Sequence, residues 1–351
     1  MYLANLTAQQ FLDFSLLETL ANANSTIYKL SPFELLFESQ KTIDSTVFPL
    51  SETDNKAQTS ETLSKLVVLG EGLNLEKLQQ INTEFAELTI QSWQVSPKVS
   101  GEGVVAKAHL SKTFDNSLNS KIAQLANRLH VELALVQQPP KLQEGGLMVM
   151  DMDSTLIAVE CIDEIAKLAG LGDKVAEITE LAMQGKLDFR ESLYNRVACL
   201  QGVDVTLLQG IRDRLPLMPG LSKLVHVMQQ HQWKIAIASG GFTFFADYLK
   251  ERLNLCEAVS NVLEVADGKL TGKVIGEVID ANAKAATLKR LAEHYHVPAS
   301  QTIAVGDGAN DLVMMAEAAF GVAYHAKPVV GEKASVAIRF GGLDTLLEFL
   351  D

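Results

Sequence analysis

Residues 145–160 read GGLMVMDMDSTLIAVE. Four apolar residues, Leu147–Met150, run straight into two carboxylates, Asp151 and Asp153, followed by Ser154 and Thr155. A short apolar run of this kind suits a buried strand of a parallel sheet. Side chains at i and i+2 on a strand point the same way, so the two carboxylates share one side. At the C-terminal end of such a strand they stand in the crevice where open α/β sheets bind ligands. Like charges that close are costly unless a cation or a shared proton offsets them. The stretch therefore predicts a divalent-metal or acid–base site.

Downstream of it, apolar strands predicted at 147–150, 234–238, 302–305 and 321–323 alternate with helical patterns, which argues a parallel sheet. Residues 161–217 are mainly helical in pattern and far too long for an ordinary strand-to-helix loop, so they predict a small helical cap inserted over the site. Asp267-Gly268 between alternating runs at 261–266 and 269–274 is a hairpin signal. Upstream, QQPPKLQEGG at 137–146 is the best domain boundary, with its paired prolines and glycines. Before it, strand-like runs at 65–69, 89–95, 104–110 and 131–136 enclose helical patterns at 74–88 and 117–130. This β-α-β-β-α-β order is that of a ferredoxin-like split unit, and it resembles amino-acid-sensing ACT modules. Residues 1–62 are harder to read: short helices are expected at 11–20 and 32–39, and the polar SETDNKAQTS at 51–60 reads as a loop or linker. The expected organisation is an N-terminal segment over 1–62, an ACT-like domain over 63–140 and an α/β domain over 145–351.

The chain has 351 residues, enough for two or three domains and at least one sizeable core. No apolar run approaches the roughly 20 residues that span a bilayer. The opening MYLANLTAQQFLDF has neither a basic n-region nor a clean apolar h-region, so no secretory signal is read. Three well-separated cysteines, Cys161, Cys199 and Cys256, form no CxxC and fit a reducing cytoplasm better than a disulfide framework. A net charge of −13 argues against a nucleic-acid footprint. An acidic protein that handled an anionic substrate would have to gather positive charge locally. There is no Walker A motif, and His294 and His296 lack further ligands at zinc spacing.

Four segments line up in order: Asp151-Met-Asp153-Ser-Thr155, Ser239-Gly240-Gly241-Phe242, Lys284 in DANAK, and GDGANDLVM at 306–314. Taken singly, each is ordinary. An Asp-x-Asp is common in loops, Ser-Gly-Gly is usually a turn, and a lone lysine is usually a solvated one. Taken together they resemble the haloacid dehalogenase superfamily of phosphohydrolases, and most closely its O-phosphoserine-hydrolysing branch. Further residues carry that resemblance: Glu160, MQGKLDF with Met183 and Phe189, Arg196, and DGKLTG at 267–272. It covers about 147–350 and does not reach the first 140 residues. Met152 and Ala285 stand where several relatives have other residues, but neither change removes a functional group.

The resemblance implies a HAD-like Rossmann-type fold with a helical cap and a Mg²⁺-dependent phosphoric monoester hydrolase acting in serine biosynthesis. It implies Asp151 as nucleophile, Asp153 as general acid and base, and Ser239 with the Gly240 backbone as phosphoryl ligands. Lys284 supplies positive charge. Mg²⁺ is held by Asp151, Asp307 and the carbonyl of Asp153, with Asn310 and Asp311 completing or orienting the shell. In the cap, Glu160 meets the substrate ammonium, Arg196 its carboxylate, and Met183 and Phe189 close over it. Arg suits a carboxylate because its planar fork binds both oxygens. Two rivals share the scaffold, a phosphotransferase to another alcohol and a broader small-molecule phosphatase. A rival of another class is an amino-acid sensor built on the ACT-like part, with serine as its regulatory ligand. A small-molecule substrate, no nucleic acid, no membrane and room for a homodimer complete the expectation.

Overall fold

Burial alternates along Glu34–Glu38 and Ser92–Pro97, while Ser64–Leu69 and Glu132–Gln137 are buried almost throughout. In the computed structural model, which describes residues 2–6, 8–31, 34–41, 43, 50–52, 64–110, 112–114, 116–184 and 186–351, the chain divides into two compact units. One comprises Met1–Pro139 with Ser335–Leu350, the other Pro140–Ala334 with Asp351. The first unit runs β1 (Tyr2–Asn5), α1 (Ala8–Leu12), α2 (Phe14–Asn22), β2 (Ser25–Ser31), β3 (Glu34–Glu38) and β4 (Leu50–Glu52). It continues with β5 (Ser64–Leu69), α3 (Leu75–Glu84), β6 (Ser92–Pro97), β7 (Val104–Leu110), α4 (Asn119–Leu129) and β8 (Glu132–Gln137). Its strands form one antiparallel sheet in the order β4-β1-β3-β2-β6-β7-β5-β8.

The half β8-β5-β7-β6 has the strand order expected of an ACT-like βαββαβ unit. The half β4-β1-β3-β2 repeats that order, and the two halves join where β2 pairs with β6, Ile27 opposite Trp93. The sequence did not reveal this second copy. Helix 11–20 is in fact two helices, broken at Asp13, whose carboxylate caps α2 by accepting the Ser15 N–H at 2.9 Å. The helix expected at 32–39 is wrong where the structure describes it, because 34–38 is the strand β3. Leu35 and Phe37 are fully buried while their neighbours are not, and pairing to β1 and β2 overrides the helix-forming composition. Most of the polar stretch 51–60 lies outside the described residues. The segment Ser335–Leu350 returns to this unit, where the buried Glu132 carboxylate accepts backbone N–H groups of Arg339 and Gly341.

The second unit begins with β9 (Leu147–Met150), all four residues wholly buried. Helices α5 (Cys161–Leu168), α6 (Gly172–Met183), α7 (Phe189–Cys199) and α8 (Val205–Arg212) fill the stretch expected to be a cap. Then come α9 (Leu221–Gln230), β10 (Lys234–Phe242), α10 (Thr243–Leu253), the hairpin β11 (Glu257–Ala266) and β12 (Lys269–Ile275), and α11 (Ala281–His294). β13 (Thr302–Gly306), α12 (Leu312–Glu317) and β14 (Phe320–Tyr324) follow. The strands lie in the order β12-β11-β10-β9-β13-β14, with β9 parallel to both β10 and β13. The order departs from β9 in both directions, so the end of β9 is the switch point where such sheets form a ligand crevice. Among the described residues no helix is long and apolar enough to cross a membrane.

Entry to β9 is tightly fixed. Gln301 donates to the carbonyls of Gly145 and Lys141 and accepts the Lys141 N–H at 2.8 Å. Trp233 donates to the Leu142 carbonyl at 2.9 Å. A methyl group on Gly146 would overlap the Gln301 carbonyl oxygen and the Trp233 ring. Gly146→Ala is accordingly expected to destabilise the second unit by about 1–3 kcal/mol through overpacking. An unchanged denaturant midpoint for that unit would show that the backbone gives way instead.

Candidate active site

Asp151 leaves the end of β9 with its backbone N–H still donated to the Val305 carbonyl, at 2.9 Å. Beyond it the chain turns sharply: the N–H groups of Leu156 and Ile157 both reach back to the Met152 carbonyl, and Ser154 adopts a left-handed φ of 56°. A non-glycine residue held there carries strain that surrounding contacts must offset. The Ser154 hydroxyl donates to Glu160 Oε1 at 2.7 Å, so the turn aims the first residue of the cap approach.

Behind Asp151 sits a wholly buried ammonium. Lys284 Nζ lies 2.7 Å from Asp151 Oδ2 and 2.7 Å from Asp311 Oδ1. Burial alone would lower the lysine pKa, but the two carboxylates outweigh it and push it upward, so the group is charged. Asp311 in turn accepts the Gly308 N–H with its other oxygen, at 3.0 Å, which closes the GDGAND loop. Its carboxyl is raised, first by burial and then by the nearby Asp151. Asp307 accepts a hydrogen bond from the Thr155 hydroxyl at 3.2 Å, and burial with repulsion from Asp151 pushes its pKa up to about 6. Asp153, partly exposed, accepts the Cys161 N–H at 3.3 Å and is pushed up to about 8, by desolvation and then by Glu160. Glu160 stands at the exposed rim and is also raised, chiefly by desolvation, with the Ser154 hydroxyl opposing.

These groups border a cleft of about 440 Å³ lined by Asp151, Asp153, Glu160, Asp307 and Asn310 from the strand ends. Ser239 and Gly240 line it from β10, and Phe189 and Arg196 from α7. The register of β10 against β11 breaks between Ala238 and Phe242, so Ser239-Gly240-Gly241 bulges out of the ladder. The bulge is held: Ser239 Oγ accepts the Gly241 N–H at 3.0 Å, and Asn261 donates to the Gly240 carbonyl at 2.8 Å. A Cβ on Gly240 would lie 2.9 Å from the Phe189 ring, so glycine is what lets the cap aromatic sit on the strand end. Arg196 has a buried Nε with no hydrogen-bond partner. The structure thus gathers all the sequence-predicted site residues around one cleft, with Lys284 and Asp311 behind its floor. The exception is the Met183 side chain, which lies outside the described residues.

Sequence reasoning missed Ser192 and Leu193, which line the cleft beside Phe189 and Arg196. The signal was available, since 189, 192, 193 and 196 follow the i, i+3, i+4, i+7 spacing of one helix face. Asn261, which ties down the Gly240 bulge, carried no sequence signal.

Residues 146–319 match the haloacid dehalogenase-like hydrolase family. A phosphoserine phosphatase of Vibrio cholerae serotype O1 is 56% identical over 230 residues, which cover 66% of this chain and 70% of that protein. The chain belongs to the phosphoserine phosphatase family of haloacid dehalogenase-like hydrolases. Among solved structures, the unliganded crystal form of a probable phosphoserine phosphatase from Vibrio cholerae superposes with a TM-score of 0.68. It is 46% identical, and the match covers 82% of this chain and 86% of that one. A phospho-aspartyl intermediate analogue of phosphoserine phosphatase matches with a TM-score of 0.56 at 38% identity, over 59% of this chain and 100% of that one.

The buried triad makes a stability prediction. Removing one partner of a buried charge pair is strongly destabilising, so Lys284→Met is expected to cost the metal-free protein about 3–5 kcal/mol near neutral pH. A carboxyl with a raised native pKa holds a proton that the unfolded chain has lost, so stability rises as pH falls. The deficit of the variant should therefore shrink on acidification through the raised Asp311 range, as read from urea midpoints. A pH-independent deficit would exclude this electrostatic origin.

Proposed function

We propose that this chain is a cytoplasmic, Mg²⁺-dependent phosphoserine phosphatase that hydrolyses O-phosphoserine to serine and phosphate through an aspartyl phosphate. The observation that carries the reading is the pairing of Asp151, fixed on a buried ammonium, with a partnerless Arg196 Nε across the same cleft. One end of that cleft suits phosphoryl transfer, the other an anionic group on the same small molecule. The names of the relatives supply the substrate: those proteins are phosphoserine phosphatases. The free cysteines are in keeping with a reducing compartment.

Phosphate-monoester hydrolysis is among the slowest of uncatalysed reactions, and a covalent intermediate divides it into two easier steps. In the first, an Asp151 carboxylate oxygen bonds to phosphorus while the bond from phosphorus to the serine oxygen breaks. Asp153, protonated near neutrality, gives its proton to that oxygen. In the second, Asp153 takes a proton from water as the water oxygen attacks phosphorus and Asp151 departs. Ser239 and the Gly240 N–H bind the phosphoryl oxygens, and Lys284 keeps the nucleophile oriented.

The donor set fits magnesium. Oxygens of Asp151, Asp307 and Asp311 lie within 4.8 Å of one another, and acidic groups outweigh the Lys284 charge around them. Both Asp311 oxygens are already engaged by Lys284 and Gly308. In keeping with the resemblance, Asp151 and Asp307 would hold the ion together with the Asp153 carbonyl, and Asp311 would support them. Magnesium takes few carboxylates plus phosphate and water, and when bound it would neutralise phosphoryl charge.

Phosphate release from a panel of phosphomonoesters tests this reading. Wild type should prefer O-phosphoserine and lose activity with a chelator, Asp151→Asn should be inactive, and Arg196→Ala should lose about 2–5 kcal/mol in kcat/KM. Unchanged kcat/KM in Arg196→Ala would sink the substrate assignment. Because the acid must be protonated in the first step, kcat/KM should fall as pH rises through the Asp153 range. Phosphoryl transfer to added alcohols that outruns phosphate release would instead favour a phosphotransferase.

A further inference from the structure

One ion pair joins the cap to the core outside the groups given a role above. Arg190, next to Phe189 on α7, donates through Nη2 and Nε to Asp280 Oδ2, at 2.7 and 3.1 Å. Asp280 is the N-cap of α11, and its other oxygen accepts the N–H groups of Asn282 and Ala283, at 3.1 Å each. A single carboxylate thus holds the cap with one oxygen and the start of the Lys284 helix with the other. Lys284 lies one turn on, its own N–H donated to the Asp280 carbonyl at 2.9 Å. The preceding residue, Ile279, donates its N–H to Asn261, the residue that fixes the Gly240 carbonyl.

On the cap side, Phe189 rests on Gly240. Arg190 and Phe189 therefore touch the core at adjacent points, one by charge and one by packing, and both contacts lead to the phosphoryl-binding end of the cleft. We propose that Arg190 and Asp280 form a clasp that holds α7 closed over the site, as positioning residues for the reaction proposed above. The pair is unsuited to a folding role: Arg190 is 54% exposed, and exposed ion pairs contribute little to stability. It is well suited to a poised equilibrium, where a small differential contact changes the closed population several-fold. The Arg190 guanidinium reaches with two N–H groups, a geometry that lysine cannot reproduce.

Asp280→Asn keeps an N-cap while removing the charge, and Arg190→Gln removes the other partner. For O-phosphoserine, each single variant should raise KM about three- to tenfold with kcat little changed, and the double variant should be no worse than either single. Arg190→Lys should recover part of the loss. High salt should raise the wild-type KM by a larger factor than it raises the variants' KM. Wild-type KM in the singles, additive losses, or a fall in kcat alone would overturn the clasp. Amide hydrogen exchange separates this proposal from the substrate assignment. Without substrate, Arg190→Gln should speed exchange both at the start of α7 and over Ser239–Phe242, strand positions that a purely local helix effect would not reach. Unchanged exchange at β10 counts against the clasp even if O-phosphoserine is the substrate. Faster exchange supports it even if wild type proves to act on another phosphomonoester.

Discussion

A lysine ammonium with no exposed surface is the constraint around which the second unit is arranged. Taking such a charge out of water costs several kcal/mol, and only close, well-formed partners offset it. Asp151 and Asp311 supply them, and in doing so they fix three separate pieces of chain: the end of β9, the loop after β13 and the first turn of α11. Each partner is itself restrained. Asp151 accepts the Met152 N–H at 2.7 Å, and Asp311 accepts that of Gly308. The Asp151 carboxylate is thereby fixed before a ligand arrives, which would spare the reaction proposed for it a reorganisation cost. The same arrangement leaves an excess of negative charge, visible in the raised pKa of Asp307 and Asp311. That excess suits this place to a cation.

Topology decides where the constraint sits. β9 is the strand from which the sheet order departs both ways, so loops on its two sides diverge and leave a crevice at its end. β10 enters that crevice with two residues more than β11 needs across the broken register, and the surplus becomes the Ser239-Gly240-Gly241 bulge. An ordinary ladder would have used those backbone groups in pairing. Here the Asn261 amide and the Ser239 hydroxyl stabilise the irregularity instead.

Much of this was legible in the residues, for a definable reason. β9 was placed to the residue because a fully buried strand needs an unbroken apolar run, and the carboxylates after it mark the strand end. Strand-end segments in the right order then located the site. Three things were not legible. The repeat of the ACT-like strand order in the first unit was hidden because its helix is broken at Asp13 and β3 is flanked by glutamates. The Asn261 brace depends on a contact between β11 and β10 that no local pattern encodes. The Arg190–Asp280 contact spans 90 positions, and each residue alone is an ordinary charged group near a helix start.

Under the proposed function, selectivity follows from where the cap places its contacts. Phe189, Ser192, Leu193 and Arg196 form one face of α7, and each lines the cleft, while Glu191, Tyr194 and Asn195 between them are exposed. A site on one helix face is set by backbone hydrogen bonds and is stiffer than one on a loop. Its weakness is that the whole face moves as a unit if the helix tilts. A guanidinium with a buried, partnerless Nε biases that motion toward opening: withdrawn toward solvent it gains water, and held closed it needs an anion. A ligand that brings a carboxylate to Arg196 and a phosphoryl group to Asp151 satisfies both ends of the cleft only when α7 is down. A phosphomonoester without the carboxylate leaves the arginine unsatisfied in the closed form. On the proposed function, discrimination comes from the penalty on closing around the wrong molecule as much as from attraction to the right one.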